Sequence, residues 1–266
     1  MNETFLEGRT AVVTGATRGI GFAIAHTLAE AGATVAICGR SQAGVDDAVM
    51  RLTNGSQRKV VGKAADVRAS TDVAALFAWV DSETGGPDIL VNNAGLGVMK
   101  STAELTVQDW QQTIETNLSG AFYCAREALN RFKNRGGGYI INIGSLAGKN
   151  AFAGGGAYNA SKFGLYGFTE AMMLDSRYDN VRVSHIMPGS VDTEFSAGSA
   201  MADLKAGPAR ADLKTDSATA DWKTGSARAD WKIAPEDIGE IVLMLLRMPE
   251  RTLVSQVEVR PAKPRK

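Results

Sequence analysis

Seven short aliphatic runs, separated by amphipathic stretches, restrict the fold of this chain more than any other feature of its sequence. The runs fall at 10–14, 34–38, 60–64, 89–92, 139–143, 181–186 and 253–259. Helical patterns lie between them, among others at 21–31, 71–83, 107–131, 157–176 and 235–246. The runs read as continuous Val, Ile and Ala rather than as alternating apolar and polar residues, which predicts strands buried on both faces. Strand–helix alternation of this kind predicts right-handed βαβ units. The expected fold is therefore α/β: a doubly wound parallel sheet of about seven strands with helices on both faces. No linker divides the 266 residues, so residues 1–266 are expected to form a single domain around one sizeable core.

Bulk composition removes several classes of function. Acidic and basic residues balance at 29 each, so neither nucleic acid nor an anionic membrane is an expected partner. The first residues, MNETFLEGRT, carry acids and no long apolar stretch, which speaks against a signal peptide. No run of about 18 apolar residues occurs, so no membrane span is expected. Cys38 and Cys124 form neither a disulfide framework nor a CxxC pair, and buried, reduced thiols in a cytoplasmic protein are the expectation. With only His26 and His185 besides, no metal site is expected.

One segment breaks the rhythm. Residues 202–237 read ADLKAGPAR, ADLKTDSAT, ADWKTGSAR and ADWKIAPED, four copies of a nine-residue unit. In a continuous helix Leu204, Leu213, Trp222 and Trp231 would fall on alternate sides, and Gly207, Pro208 and Gly225 argue against that helix in any case. Two readings stand side by side: a duplication tolerated in a surface loop, or a lid or contact surface built on the Leu/Trp ladder.

The stretch AVVTGATRGIGFAIA places Gly15, Gly19 and Gly21, with Thr17, Arg18 and Ile20 among them, between the first strand and the first helix. Glycine is needed where a tight turn brings backbone N–H groups against a pyrophosphate at a helix N-terminus. In such a fold the end of the second strand faces the adenosine ribose. An acid there bonds a free 2′-hydroxyl, whereas an arginine suits a 2′-phosphate. Arg40 occupies that place, in ICGRS, and Arg18 is a second cation available on the same side. Together they favour NADP over NAD.

Two more pieces carry chemistry. GGYIINIGSLAG ends a buried strand at Ser145, and AYNASKFGLYGF sets Tyr158 and Lys162 one helical turn apart on a single face. A tyrosine with an ordinary pKa near ~10 needs a neighbouring cation to reach its phenolate, and a lysine one turn away supplies it. A serine hydroxyl opposite can bond the same carbonyl oxygen that the tyrosine protonates.

TGATRGIG, NNAG (92–95), Asn117 in ETNLSGAF, Ser145, Tyr158-x-x-x-Lys162 and PGSVDT (188–193) follow one another in order. In these motifs the chain resembles the short-chain dehydrogenase/reductase family, from about Arg9 to Gly189 and again at WKIAPEDIGEIVLMLL. Its last strand looks like the branch described as 3-oxoacyl reductase-like or acting on small hydroxy acids. The resemblance implies a Rossmann-type domain whose region 190–234 is a substrate lid, and an NADP(H)-dependent oxidoreductase exchanging hydride with a ketone, aldehyde or secondary alcohol. It implies that Gly15, Gly19 and Gly21 cradle the cofactor phosphates and that Asp66 and Val67 contact the adenine. Asn92, Asn93, Ala94 and Gly95 would stabilise the sheet and lie along the cofactor. Tyr158 would be the general acid/base, Lys162 its partner and ribose ligand, and Ser145 the residue that positions the carbonyl. Asn117 would anchor a relay water. Pro188, Gly189, Val191 and Thr193 would flank the nicotinamide.

A homotetramer or homodimer, packed through 107–131 and 157–176, is the assembly that resemblance implies. Phe163, Leu165, Phe168 and Met172 fit such packing and fit a core equally well. Leu96, Met99, Leu146, Phe152 and Phe195 are candidate pocket residues, apolar enough for a medium-sized, fairly greasy carbonyl compound. The rival readings are an NAD-dependent alcohol dehydrogenase and a cofactor-binding protein whose repeat segment docks a partner.

Overall fold

The computed structural model describes residues 4–54, 58–197 and 231–264. Its elements run β1 (Thr10–Thr14), α1 (Gly19–Glu30), β2 (Thr34–Gly39), α2 (Gln42–Thr53), β3 (Val60–Ala64), α3 (Ser70–Thr84), β4 (Ile89–Asn92), α4 (Val107–Ile114), α5 (Gly120–Arg135), β5 (Gly138–Ile143), α6 (Gly156–Ser176), β6 (Val181–Pro188), α7 (Glu194–Ala197), α8 (Pro235–Arg247) and β7 (Gln256–Val259). The seven strands form one sheet in the order β3-β2-β1-β4-β5-β6-β7, and every neighbouring pair is parallel. This is the doubly wound α/β arrangement expected from the alternation, with the strand order reversing between β1 and β4.

The inner strands feed two cores. Ala11 and Val13 of β1 join the cluster on the face covered by α1 and α8, while Val12 between them joins the cluster of α3 and α5. Ile89 and Val91 against Leu90 in β4, and Tyr139, Ile141 and Ile143 against Ile140 in β5, repeat the division. A strand buried on both faces has no solvent side to show, which is why these runs are apolar along most of their length. Leu165 and Met172 are core residues, Phe168 packs against the core and Phe163 is exposed.

Three elements differ from their sequence reading. Helix α2, capped where the Ser41 hydroxyl accepts from Gly44 N, lies where no helix was singled out, because only Val45, Ala48 and Leu52 of it are buried. The helix expected over 107–131 is split by a π-helical turn, Glu115–Ser119, and continues to Arg135. The last strand begins at Gln256 rather than at 253, since pairing with β6 starts at His185↔Gln256. The repeats, up to residue 230, lie outside the described residues.

Candidate active site

The carboxyl ends of the central strands open into a cleft of about 1120 Å³ at the point where the strand order reverses. The glycine loop forms one wall. Gly15 and Gly19 have φ of 61° and 59°, in the left-handed region that favours glycine. At Gly21 a Cβ would lie 2.5 Å from the Gly15 carbonyl oxygen, so the start of α1 can pack this closely only with glycine. Helix α1 has Arg18 at its N-cap and no capping side chain, unlike α2 and the Thr106/Asp109-capped α4. Its first-turn N–H groups are left for another acceptor.

The loop is strapped to β4 by Asn93, whose Nδ2 donates to the carbonyls of Thr14 at 2.9 Å and Gly15 at 3.0 Å. In return Thr14 Oγ1 accepts the N–H groups of Asn93 and Ala94, each at 3.0 Å. Thr14 escaped the sequence reading because it ends an apolar strand and belongs to no glycine motif. Asn92 is turned the other way, buried, and donates to Asn142 Oδ1 at 2.9 Å.

Arg40 is exposed at the end of β2 and lines the cleft beside Asp66 and Val67. The Asp66 carboxylate accepts hydrogen bonds from Arg68, which hold it below the usual carboxylate range, and the charge of Arg40 adds to the effect. Gly39 lets Thr17 close over this corner, since a Cβ there would come within 2.6 Å of Thr17 Cγ2. Arg18 corrects an expectation. Its guanidinium is not a free cation but pairs with Glu194 Oε2 at 2.8 Å, on the opposite wall.

At the floor, Ser145, Tyr158 and Lys162 meet. Ser145 caps a short 3-10 turn, its Oγ accepting from Ala147 N at 3.1 Å. Tyr158 and Lys162 lie on the same face of α6, and Lys162 Nζ sits 5.8 Å from the Tyr158 ring centroid and donates to the Ile143 carbonyl at 3.0 Å. Burial pushes the Tyr158 hydroxyl above its ordinary pKa, and a hydrogen bond with Ser145 works against that rise. Burial also pulls Lys162 down to about 8. Burial thus works against the charged form of both groups, and Lys162 faces the Tyr158 ring at 5.8 Å.

Asn117 is buried in the π-helical turn and, like Asn92, does not line the cleft. Its side chain spans Leu96, accepting from the N–H and donating to the carbonyl at 2.8 Å each, and donates to Ser161 Oγ at 2.9 Å. Ser161, which the sequence reading passed over, in turn donates to the Tyr158 carbonyl at 2.7 Å.

Pro188, Gly189, Val191 and Thr193 complete the wall facing the glycine loop, and a Cβ on Gly19 would touch Thr193 Cγ2 at 3.5 Å. Val191 bridges Ile233 in parallel fashion, and Asp192 N donates to Ile233 O at 2.9 Å. That bridge joins the segment after β6 to the segment before α8. Leu96, Met99, Leu146, Phe152 and Phe195 all line the cleft, with the Phe195 ring 6.0 Å from that of Tyr158. Among the described residues no cluster of three or more His, Cys, Asp or Glu could hold a metal, and no helix is long and apolar enough to cross a membrane. Both cysteines are free and buried, and burial raises the Cys38 thiol to about 11.

Comparison with known proteins places this geometry. The family model described as short chain dehydrogenase matches residues 9–203. D-beta-hydroxybutyrate dehydrogenase of Rhizobium meliloti is 39% identical over 189 residues, 70% of this chain and 72% of that one. The 3-oxoacyl-(acyl-carrier-protein) reductase FabG of Vibrio cholerae is 36% identical over 191 residues, 72% of this chain and 77% of that one. Among solved structures, a metagenomic short-chain oxidoreductase in complex with NADP is 31% identical, with a TM-score of 0.77 over 97% of this chain and 99% of that one.

Proposed function

The chain belongs to the short-chain dehydrogenase family, and from that premise we propose that it is an NADP(H)-dependent oxidoreductase that interconverts a carbonyl compound and its alcohol. The observation that carries this reading is the buried Tyr158, gathered with Ser145 and followed one turn later by Lys162, at the floor of a glycine-walled cleft. The cleft fits a dinucleotide: the left-handed Gly15 and Gly19, the close approach at Gly21 and the uncapped start of α1 make a cradle that added side chains would fill.

Gly15, Thr17, Gly19, Ile20 and Gly21 hold the pyrophosphate, Arg40 the ribose 2′-phosphate, and Asp66 and Val67 the adenine. Asn93, Ala94 and Gly95 line the middle of the groove, and Pro188, Gly189, Val191 and Thr193 flank the nicotinamide. When bound, the nicotinamide supplies or accepts the hydride. The protons are the protein's task. Ser145 donates to the substrate oxygen and orients it. Tyr158 gives that oxygen its proton during reduction and takes it back during oxidation. The dry site keeps Tyr158 protonated at neutral pH, which is the state an acid needs. Lys162, held by the Ile143 carbonyl, places its remaining N–H groups toward Tyr158 and the ribose. Asn117 braces Leu96 and Ser161 with its side chain, so a relay water at this residue uses its main-chain carbonyl in the π-helical turn.

The substrate we assign is 3-oxoacyl-like or a small hydroxy compound, with its apolar part against Leu96, Met99, Leu146, Phe152 and Phe195. We read residues 1–266 as one Rossmann-type unit with 190–234 as the lid. The exposed Trp110, Phe122 and Phe163 of α4, α5 and α6 support a homodimer or homotetramer, and the free, buried cysteines fit the reducing cytoplasm.

The test is a fluorescence titration of NADPH and NADH on the wild type and on Arg40→Ala. We expect NADPH to bind at least about tenfold more tightly, about 1.4 kcal/mol, and the substitution to remove most of that gap. Equal binding of both cofactors by the wild type overturns the NADP assignment in favour of an NAD-dependent alcohol dehydrogenase.

A further inference from the structure

Four polar side chains form a row across the carboxyl half of the sheet, where apolar ones would be expected. Asn92 of β4, Asn142 of β5, His185 of β6 and Gln256 of β7 are successive register partners. They share one face of the sheet, because partners in register point the same way. Asn92, Asn142 and His185 are buried. Such groups are costly in a core unless each is bonded, so the destinations of their bonds are informative.

Most of them go to α6. Asn142, which accepts from Asn92, donates through Nδ2 to Thr169 Oγ1 at 2.8 Å. Thr169 donates its one proton to the Leu165 carbonyl at 2.6 Å, so the contact with His185 Nδ1 at 3.1 Å has the imidazole as donor. This fixes the Nδ1–H tautomer. Gln256 Nε2 donates to Tyr166 OH and Glu170 Oε1, both at 3.0 Å, and its Oε1 accepts from Lys149 Nζ at 3.1 Å. The Tyr166 ring stands edge-on to His185 with centroids 5.7 Å apart. His185 Nε2 has no hydrogen-bond partner among the described residues and lies under Gly144, where a Cβ would collide with the ring. Three strands thus grip Tyr166, Thr169 and Glu170 on α6. Tyr158 and Lys162 are the preceding turns of the same helix.

We propose that the row Asn92–Asn142–His185–Gln256 is a register clamp for α6, and that His185 is its positioning residue, holding Tyr158 and Lys162 at the correct height against Ser145. A helix advances 1.5 Å per residue, so a slip of one residue along its axis breaks every bond in the clamp. The imidazole donates to Thr169, which an aliphatic residue cannot, and its ring also fills the space that glycine leaves at position 144, one residue before Ser145. The inference rests on the functional reading given above.

The test compares His185→Leu with His185→Asn. The two replacements have nearly the same shape, but the Asn Nδ2 can take over the donation of Nδ1–H to Thr169. Turnover, its pH profile, NADPH affinity by titration and thermal unfolding are measured on the full chain. We expect His185→Leu to lower kcat about tenfold, to shift the pH profile of kcat, and to weaken NADPH binding several-fold through the displaced Lys162. His185→Asn recovers most of each. A Leu variant that melts earlier yet keeps wild-type kcat, pH profile and NADPH affinity overturns the inference, as does an Asn variant no better than Leu. If the Leu variant does not fold, Thr169→Val, which removes only the shared hydroxyl, is judged by the same criteria. A wild type that binds NADPH but turns over no carbonyl compound overturns the functional reading instead, and the clamp is then judged on NADPH affinity alone.

Discussion

Arg18 of the glycine loop and Glu194 at the start of α7 meet at 2.8 Å, joining the two facing walls of the cleft. Both side chains are largely exposed, at 70% and 74%. A pair in that setting contributes little to stability and is screened by salt. Its consequence is for the ligand, since the guanidinium is committed to a carboxylate. We predict that Glu194→Gln leaves the melting temperature within about 3 °C of wild type, given the ~0–1 kcal/mol typical of exposed pairs. It should tighten NADPH binding two- to fivefold at low salt, with the gain shrinking as salt is raised. Unchanged affinity at low salt would mean that Arg18 does not reach the phosphates when freed.

Tyr158 is the group whose chemistry cannot be replaced by shape. Tyr158→Phe keeps the ring and removes the proton, so we expect turnover to fall by about 10² or more, the range for a positioned acid or base, with NADPH affinity within about twofold. Because burial raises the Tyr158 pKa, the phenol is the resting form at neutral pH. Carbonyl reduction should therefore hold its rate through pH 7, while alcohol oxidation should climb from pH 7 toward pH 10. Initial rates in both directions across that range check the assignment.

Lys162 sets function against stability. Burial lowers its pKa to about 8 in the folded chain, against ~10.4 when unfolded. Between those values the unfolded chain binds the extra proton, so stability rises with pH there, and the cost of burying the charge is complete below pH 8. The difference corresponds to about 3 kcal/mol. Lys162→Met should abolish most activity and yet melt no lower than the wild type at pH 7. A clearly lower melting temperature by calorimetry would show that the bond to the Ile143 carbonyl outweighs the desolvation cost.

His185 gives the molecule an acid limit. Burial, reinforced by the charges of Lys162 and Lys149, lowers its pKa to about 3, against ~6.5 in an unfolded chain. Below pH 6.5 the unfolded state takes up a proton that the folded state refuses, so stability is lost as pH falls toward 3. Melting temperatures of wild type and His185→Asn between pH 7.5 and 4.5 should diverge, with the wild type falling more steeply. Parallel curves would assign the acid lability to other groups.

Gly21 is a matter of space rather than conformation. Its added Cβ would press on the Gly15 carbonyl and on Asn93, the strap of the loop. We expect Gly21→Ala to cost at least about tenfold in NADPH affinity and, as overpacking usually does, about 1–3 kcal/mol in stability. Wild-type affinity in a folded variant would show that the loop can shift without losing its ligand.

The sequence by itself determined the sheet, its parallel sense, the glycine loop and the order of the candidate site residues. These follow from short-range rules. A strand buried on both faces is apolar along most of its length, a turn with positive φ favours glycine, and residues four apart share a helix face. Tyr158 and Lys162 could be paired from spacing alone for that reason. Tertiary structure alone decided what each side chain faces. Arg18 and Glu194 are 176 residues apart, and nothing local shows that one neutralises the other. Thr14 and Ser161 became part of the site only through partners brought in from β4 and from Asn117. The clamp under α6 joins residues from four strands and a helix, and in sequence its members look like isolated polar residues in apolar runs. Whether a buried group is satisfied, and whether a lysine is dry enough to shed its charge, depends on distances and on the exclusion of water. Both arise only when distant segments pack.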